Sequence, residues 1–241
     1  MVEILKYNPG WCLPSSEDLP DSDDRPVDNE LQDLVPSLLK MSLALIWSER
    51  LDWFFGVDMG IYYHPDAPAV VPDGFLAMGV PRIIDSDLRL SYVLWEEEQV
   101  PFLTLEVVSH KRRGEYGWKK QLYGEMEVLY YAIYNPQRKR RPRLEVYRLQ
   151  DGQYQPQRGE PFWLPEIGLG IGRNIGSHQG INREWLYWFD EQGNRYLIPE
   201  ELAQQAQRER REAQEQRRLA EERSQRLAAR LRELGIDPDT V

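Results

Sequence analysis

Two acidic residues stand where the sequence leaves least room for charge. Asp73 follows Pro72 between Val70-Val71 and Phe75-Leu76. Glu106 sits inside Phe102-Leu103-Thr104-Leu105-Glu106-Val107-Val108, the most hydrophobic strand-like run in the chain. A lone carboxylate there is costly unless it is paired, protonated or bound to a cation. Two of them on neighbouring strands could share that cost by holding a divalent metal through oxygen ligands. Mg²⁺ suits such a site, because it takes few protein carboxylates and keeps water and substrate phosphate in its shell. The competing explanation pairs Glu106 with an arginine as a structural ion pair. Glu115, Lys119 and Tyr123 are spaced i, i+4, i+8 and so lie along one helical face. An ammonium on that face could orient a water nucleophile and neutralise charge on a phosphate. A surface Glu–Lys pair accounts for the same spacing without chemistry.

Other chemistries find little support. His64, His110 and His178 lie far apart, with no partner at helical spacing for a zinc motif. There is no Gly-x-Ser-x-Gly elbow and no Gly-x-x-x-x-Gly-Lys loop. Gly168, Gly170, Gly172 and Gly176 lack the preceding buried strand and following helix of a nucleotide fingerprint, so they read as loop punctuation. The only cysteine, Cys12, excludes an internal disulfide framework and suits a reducing cytoplasm. A net charge of −10 argues against a general polyelectrolyte binder, so contact with nucleic acid would need local basic patches. No apolar run approaches the roughly 20 residues that span a bilayer. Met1 to Pro9 carries no signal-peptide pattern, and a soluble, cytoplasmic protein without a membrane partner is expected.

The elements that must position these residues can be read from periodicity. Residues 1–27 form an extended acidic lead-in punctuated by prolines. Asp28 or Asn29 can cap a helix carrying Leu31, Leu34, Val35, Leu38, Leu39, Leu45 and Ile46, with Pro36 implying a kink or a late start. Strands are expected over Trp53–Tyr63, Val70–Met78, Tyr92–Trp95 and Pro101–Ser109, the last buried on both faces. A helix from about Glu115 to Met126 and a strand from Leu129 to Tyr134 follow. Asp151-Gly152 marks one hairpin, between Arg143–Tyr147 and Gln153–Gln155, and Gly193-Asn194 a second, between Glu184–Phe189 and Arg195–Ile198. The sum is an α/β domain over residues 28–198, a mixed sheet flanked by helices with hairpins at its edge.

Residues 199–235 change character. Pro199 can open a helix and Gly235 with Pro238 can stop it, while Glu, Gln, Arg, Ala and Leu fill the interior. Ala206, Ala213, Ala220, Leu227 and Leu234 recur every seven residues. Their companions Ala203, Arg210, Arg217, Ser224 and Leu231 make a poor second seam, so a weak coiled coil and a solvated single helix both fit. Residues 236–241 are a tail.

Taken in order, Pro72-Asp73-Gly74, Leu105-Glu106-Val107-Val108-Ser109, Glu115-x-x-x-Lys119-x-x-x-Tyr123 and Leu129-Tyr130-Tyr131-Ala132-Ile133-Tyr134-Asn135-Pro136 resemble the Uma-type restriction endonucleases, a branch of the PD-(D/E)XK nuclease superfamily. The resemblance covers roughly Pro26 to Pro199. It implies a restriction-endonuclease-like core and Mg²⁺-dependent phosphodiester hydrolysis, with Mn²⁺ as a substitute. It assigns Asp73 and Glu106 as metal carboxylates and the Val107 carbonyl as a further ligand. The superfamily lysine would fall at Val108; in the Uma-type branch it moves to the following helix, where Lys119 matches it. Glu30 is the candidate for the acidic residue of the first helix, and an N-terminal Glu also complements the helix dipole. Glu115 stands where the branch often has a carboxylate one turn before the lysine.

Two basic clusters leave the ends of buried strands: His110-Lys111-Arg112-Arg113, and Arg138-Lys139-Arg140-Arg141 with Arg143. Lys111, Arg112 and Arg113 are the nearer candidates for contacts to DNA phosphates. The expected activity is metal-dependent endonucleolytic cleavage of DNA. The rival is a catalytically silent nuclease-like domain acting as an interaction module, forming homo-oligomers through the C-terminal helix.

Overall fold

Asn29 starts the first helix. Its side-chain oxygen accepts the Leu31 N–H at 3.0 Å, and α1 runs Glu30–Ile46. Leu34, Val35, Leu38, Leu39 and Leu43 repeat at three- and four-residue steps and are all buried. Pro36 lies inside α1 without delaying its start, and its ring packs over Gly74. The computed structural model of the chain describes residues 13–19, 29–84, 88–109 and 114–233. Two compact units divide it, Met1–Tyr196 and Leu197–Val241.

In the first unit, β1 (Trp53–Val57), β2 (Ile61–Tyr62), β3 (Gly74–Met78) and β4 (Tyr92–Val93) precede a single helical turn, α2 (Leu94–Glu97). Then come β5 (Leu103–Val107), α3 (Trp118–Glu125), β6 (Tyr130–Tyr134), β7 (Leu144–Gln150) and β8 (Gln153–Pro156). The main sheet has the order β1-β3-β5-β6-β7-β8. Only β5 and β6 pair in parallel within it, and the connection between them carries α3, as a parallel crossover requires. Every residue of β5 and of β6 is buried, which explains their near-continuous apolar sequence. The β7–β8 hairpin turns at Asp151-Gly152, where Asp151 (φ 50°) and Gly152 (φ 74°) both adopt the left-handed backbone such a turn needs. A short parallel pair, β2 with β4, completes this half.

β9 (Phe162–Leu164), β10 (Leu169–His178) and β11 (Ile181–Phe189) form a second, antiparallel sheet. The buried indole of Trp188 on β11 donates to the Leu39 carbonyl of α1 at 2.9 Å. The layout is the mixed α/β, restriction-endonuclease-like arrangement expected from the resemblance.

Several boundaries differ from the sequence reading. The Gly168–Gly176 stretch is not loop: Gly170, Gly172 and Gly176 lie within β10. A side chain at Gly172 would meet Phe189 and Pro161 at 3.0 Å, and one at Gly176 would meet the Tyr187 hydroxyl at 2.2 Å. Glycine is there to let a strand pass close to aromatic neighbours. The second hairpin pairs β10 with β11, turning at Gln179-Gly180; Arg195 makes a single bridge to Phe189, and Tyr196 to Ile198 form no strand. Leu94-Trp95 turn into α2 rather than extending β4, stopped by the left-handed Glu98 (φ 54°). Val70 makes one bridge to Ile61, and β3 begins only at Gly74, after Pro72 has removed a ladder donor. α3 begins at Trp118, because Gly114 (φ 97°) and Gly117 hold residues 114–117 in a turn.

The second unit contains α4 (Pro199–Glu233). Glu200 and Glu201 stand in its first turn and Arg230 and Arg232 in its last, each matching the helix dipole. Among the described residues, no helix is long and apolar enough to cross a membrane.

Candidate active site

The antiparallel register of β3 on β5 pairs Gly74 with Leu105. Asp73 immediately precedes β3, as Glu106 immediately follows Leu105, and the two carboxylates lie close enough for the Glu106 charge to act on Asp73. Asp73 is fixed from two sides. Its Oδ2 accepts the Val107 N–H at 2.5 Å and its Oδ1 accepts Nε2 of Gln32 at 3.1 Å. In an antiparallel ladder the N–H and C=O of one residue point toward the same neighbouring strand. The Val107 carbonyl therefore faces the edge where the Asp73 carboxylate lies.

Glu106, 2% exposed, receives three hydrogen bonds. The Lys119 Nζ donates to Oε1 and Oε2, at 2.8 Å each, and the Tyr123 hydroxyl donates to Oε1 at 2.7 Å. Lys119 and Tyr123 are one turn apart on α3, so a single helix face supplies both donors. The third Lys119 proton reaches the Val71 carbonyl at 2.9 Å, tying α3 to the segment that ends in Asp73. Among the described residues Oε2 has only Lys119 as a donor, which leaves an acceptor direction open.

Electrostatics make this pair expensive. Burial pushes the Asp73 carboxyl well above its usual range, the Glu106 charge pushes it further, and the Val107 N–H and Lys119 offset only part of this. Burial also raises Glu106, against the pull of Lys119 and Tyr123, with Glu115 adding repulsion. The Tyr123 phenol is held well above the usual phenol range by burial and by Glu106, so it stays a donor. Two carboxylates and one ammonium thus share a buried pocket, which leaves one negative charge in excess when both acids are ionised.

A family model described as "Uma2: Putative restriction endonuclease" matches residues 25–175. The chain belongs to this family. The match takes in α1, Asp73, Glu106, Lys119 and Tyr123, and its description gives nuclease as the functional class. No curated protein matches the chain, and no solved structure does.

Within this Uma2 frame the other predicted residues fall as follows. Glu30 is exposed at the start of α1, and the side chain of that helix which reaches Asp73 is Gln32. Glu115 lies before α3, not on it, yet is buried, and its field reaches Glu106. Lys111, Arg112 and Arg113 lie outside the described residues. In the second basic cluster Arg138 is paired with Glu145 at 2.6 Å and sits over the Tyr116 ring, while Arg143 bonds the Arg138 carbonyl and lies 3.5 Å from Glu184. These two arginines hold a loop together; Lys139, Arg140 and Arg141 are exposed. Among the described residues no three histidine, cysteine or acidic side chains cluster as a metal cage.

Sequence reasoning missed Gln32 and the Val71 carbonyl. Gln32 had a signal, because it falls on the buried stripe of α1 with Val35 and Leu39, where an unpartnered polar side chain is out of place. A main-chain acceptor such as Val71 leaves no trace in side-chain types.

Proposed function

We propose that this Uma2 protein is a DNA endonuclease that uses Mg²⁺, or Mn²⁺, held by Asp73, Glu106 and the Val107 carbonyl. One observation carries the reading: two buried carboxylates share a single ammonium, burial raises the proton affinity of both, and the Glu106 charge raises that of Asp73 further. A divalent cation would relieve that repulsion. The donor set fits, being all oxygen, and Mg²⁺ needs only one or two carboxylates beside its waters and a substrate phosphate. When bound, the cation supplies Lewis-acid polarisation of a phosphoryl oxygen and lowers the pKa of a coordinated water.

The chain's own residues do the rest. The Val107 N–H and Gln32 hold the Asp73 carboxylate in one orientation. Tyr123 occupies Oε1 of Glu106 and so turns Oε2 toward the ligand side. Lys119 offsets the charge on Glu106 and is the group placed to orient the nucleophile and steady the charge developing on phosphate. Lys111, Arg112 and Arg113 directly follow the Glu106 strand, so they are the candidates for positioning the duplex by its phosphates. The catalytic unit spans residues 28–198, the α4 helix is an appendage, and a reducing cytoplasm suits a chain with one cysteine.

The test is cleavage of supercoiled plasmid in Mg²⁺ or Mn²⁺ by wild type beside Asp73→Ala and Lys119→Ala. Wild type should nick and linearise the plasmid, chelator should stop it, and both variants should be inactive. Wild-type protein that neither cleaves nor gains stability from the metal would leave a silent nuclease-like domain, assembled through α4, as the function.

A further inference from the structure

A cleft of about 270 Å³ opens beside the edge strand β1, lined by Lys40, Phe54, Gly56, Val57, Arg82 and Arg89 among others. Its three cations are not equivalent. Arg89 is neutralised: its guanidinium bonds Glu97 twice, at 2.5 and 3.0 Å, and the Pro81 carbonyl at 2.6 Å, and lies over the Phe54 ring. Lys40 and Arg82 form no ion pair with any described residue. Arg82 is anchored by its main chain, its N–H bonding the Leu51 carbonyl at 2.8 Å, with its guanidinium 5.3 Å from the centre of the Trp53 ring. Burial and the neighbouring Arg82 hold the Lys40 amine below its usual range. Among the described residues no acidic side chain neutralises Lys40 or Arg82, the two repel each other, and an anion between them would remove that cost.

The cleft is joined to the carboxylate pair by two elements. Along α1, Gln32, Pro36 and Lys40 occupy one i, i+4, i+8 stripe. Gln32 bonds Asp73, Pro36 covers Gly74, and Lys40 lines the cleft. Eight residues of helix separate its two ends by roughly 12 Å. Along β1, Val57 pairs with Gly74, and the next residue, Asp58, donates its N–H to the Asp73 carbonyl at 3.2 Å. Val57 and Met59 on either side of it line the cleft.

We infer that Lys40 and Arg82 form a second phosphate site, which grips the backbone of a DNA duplex a short way from the bond held at Asp73 and Glu106. The inference rests on the nuclease reading and adds the track the substrate follows, across the β1 edge. Phosphate contacts of this kind fix register without reading sequence.

The experiment measures duplex affinity of the full chain at 50 to 200 mM salt, with Ca²⁺ in place of Mg²⁺. Each phosphate contact contributes about 0.9 to the slope of log affinity against log salt. Lys40→Gln and Arg82→Gln should each lower the slope by about that amount and weaken unrelated duplexes by a common factor. Lys40→Arg should keep the wild-type slope. If Lys40→Gln fails to fold, Arg82→Gln on the half-exposed arm carries the test. Wild-type slope and affinity in folded Gln variants would overturn the second site while leaving the nuclease reading in place. Wild-type protein that binds no duplex would overturn both.

Discussion

Both carboxylate oxygens of Glu106 accept from the one amine of Lys119, at 2.8 Å each, inside a pocket where Glu106 is 2% and the Lys119 side chain 13% exposed. The pair is too buried to be a screened surface contact and too open to be inert. Removing one partner of a buried ion pair costs about 3–5 kcal/mol, because the other charge is left without compensation. Lys119→Met should fall near the low end, roughly 3 kcal/mol, since Glu106 can escape by taking a proton. Urea unfolding at pH 8 should show the full loss and at pH 5 a smaller one. Adding Glu106→Gln to Lys119→Met should recover most of it. A single variant as stable as wild type at pH 8 would mean that the ammonium does not compensate Glu106.

The carboxylate pair also sets a pH dependence of definite sign. Asp73 and Glu106 both have folded-state affinities for protons above their ordinary values of 3.8 and 4.5. The folded chain therefore binds more protons than the unfolded chain over the window above those values, and stability falls as pH rises through it. Metal-free protein should lose melting temperature from about pH 4.5 upward on this account, and Asp73→Asn should flatten the decline. Mg²⁺ competes with those protons, so its stabilisation should grow with pH in wild type and vanish in Asp73→Asn. Melting curves across pH, with and without Mg²⁺, measure both. An undiminished Mg²⁺ response in the variant would place the metal elsewhere.

The residues of this site were more legible in the sequence than the fold around them. Asp73 and Glu106 announce themselves because charge is rare in apolar strands, and Lys119 and Tyr123 because a helix repeats every 3.6 residues. The β5–α3–β6 unit follows from two buried strands around a helix. What failed to show is tertiary in origin. β10 is hidden by its glycines, which are explained only by Phe189, Pro161 and Tyr187 on the partners it passes. The turn of Leu94-Trp95 into α2 follows no periodic signal, since both residues are buried and would suit a strand equally. Gln32 was obscured by a plausible acid two residues earlier, and only the approach of β3 to α1 shows which of the two meets Asp73.

Gly74 tests how tightly that approach positions the chemistry. A side chain there would stand 2.8 Å from the Pro36 ring and 3.2 Å from Phe55, both buried. Overpacking of this kind costs about 1–3 kcal/mol. Gly74→Ala should therefore lower stability by that amount and also push β3 away from α1, stretching the bond from Gln32 to Asp73. Cleavage and the Mg²⁺ shift in melting temperature should fall together. A variant that loses stability but keeps the full Mg²⁺ response would show that Asp73 is held by Val107 alone.

The last expectation concerns α4, which should be separable from the chemistry. None of its residues is buried, and ion pairs run along it: Arg218 bridges Glu215 and Glu222 at 2.6 Å each, and Arg230 reaches Glu233 at 2.7 Å. Such i,i+3 and i,i+4 pairs support a helix from within, without a partner. Leu219 and Leu227 are exposed, and the alanines of the seven-residue repeat offer little area to a second helix, so any pairing through α4 should be weak and concentration-dependent. A chain ending at Pro199 should keep the melting temperature of the full protein, its pH dependence and its cleavage activity. Sedimentation should then report whether α4 assembles the protein, as a fall in mass beyond the residues removed, seen only at high concentration. A truncated chain that melts several degrees lower would show instead that the nuclease unit needs the helix to fold.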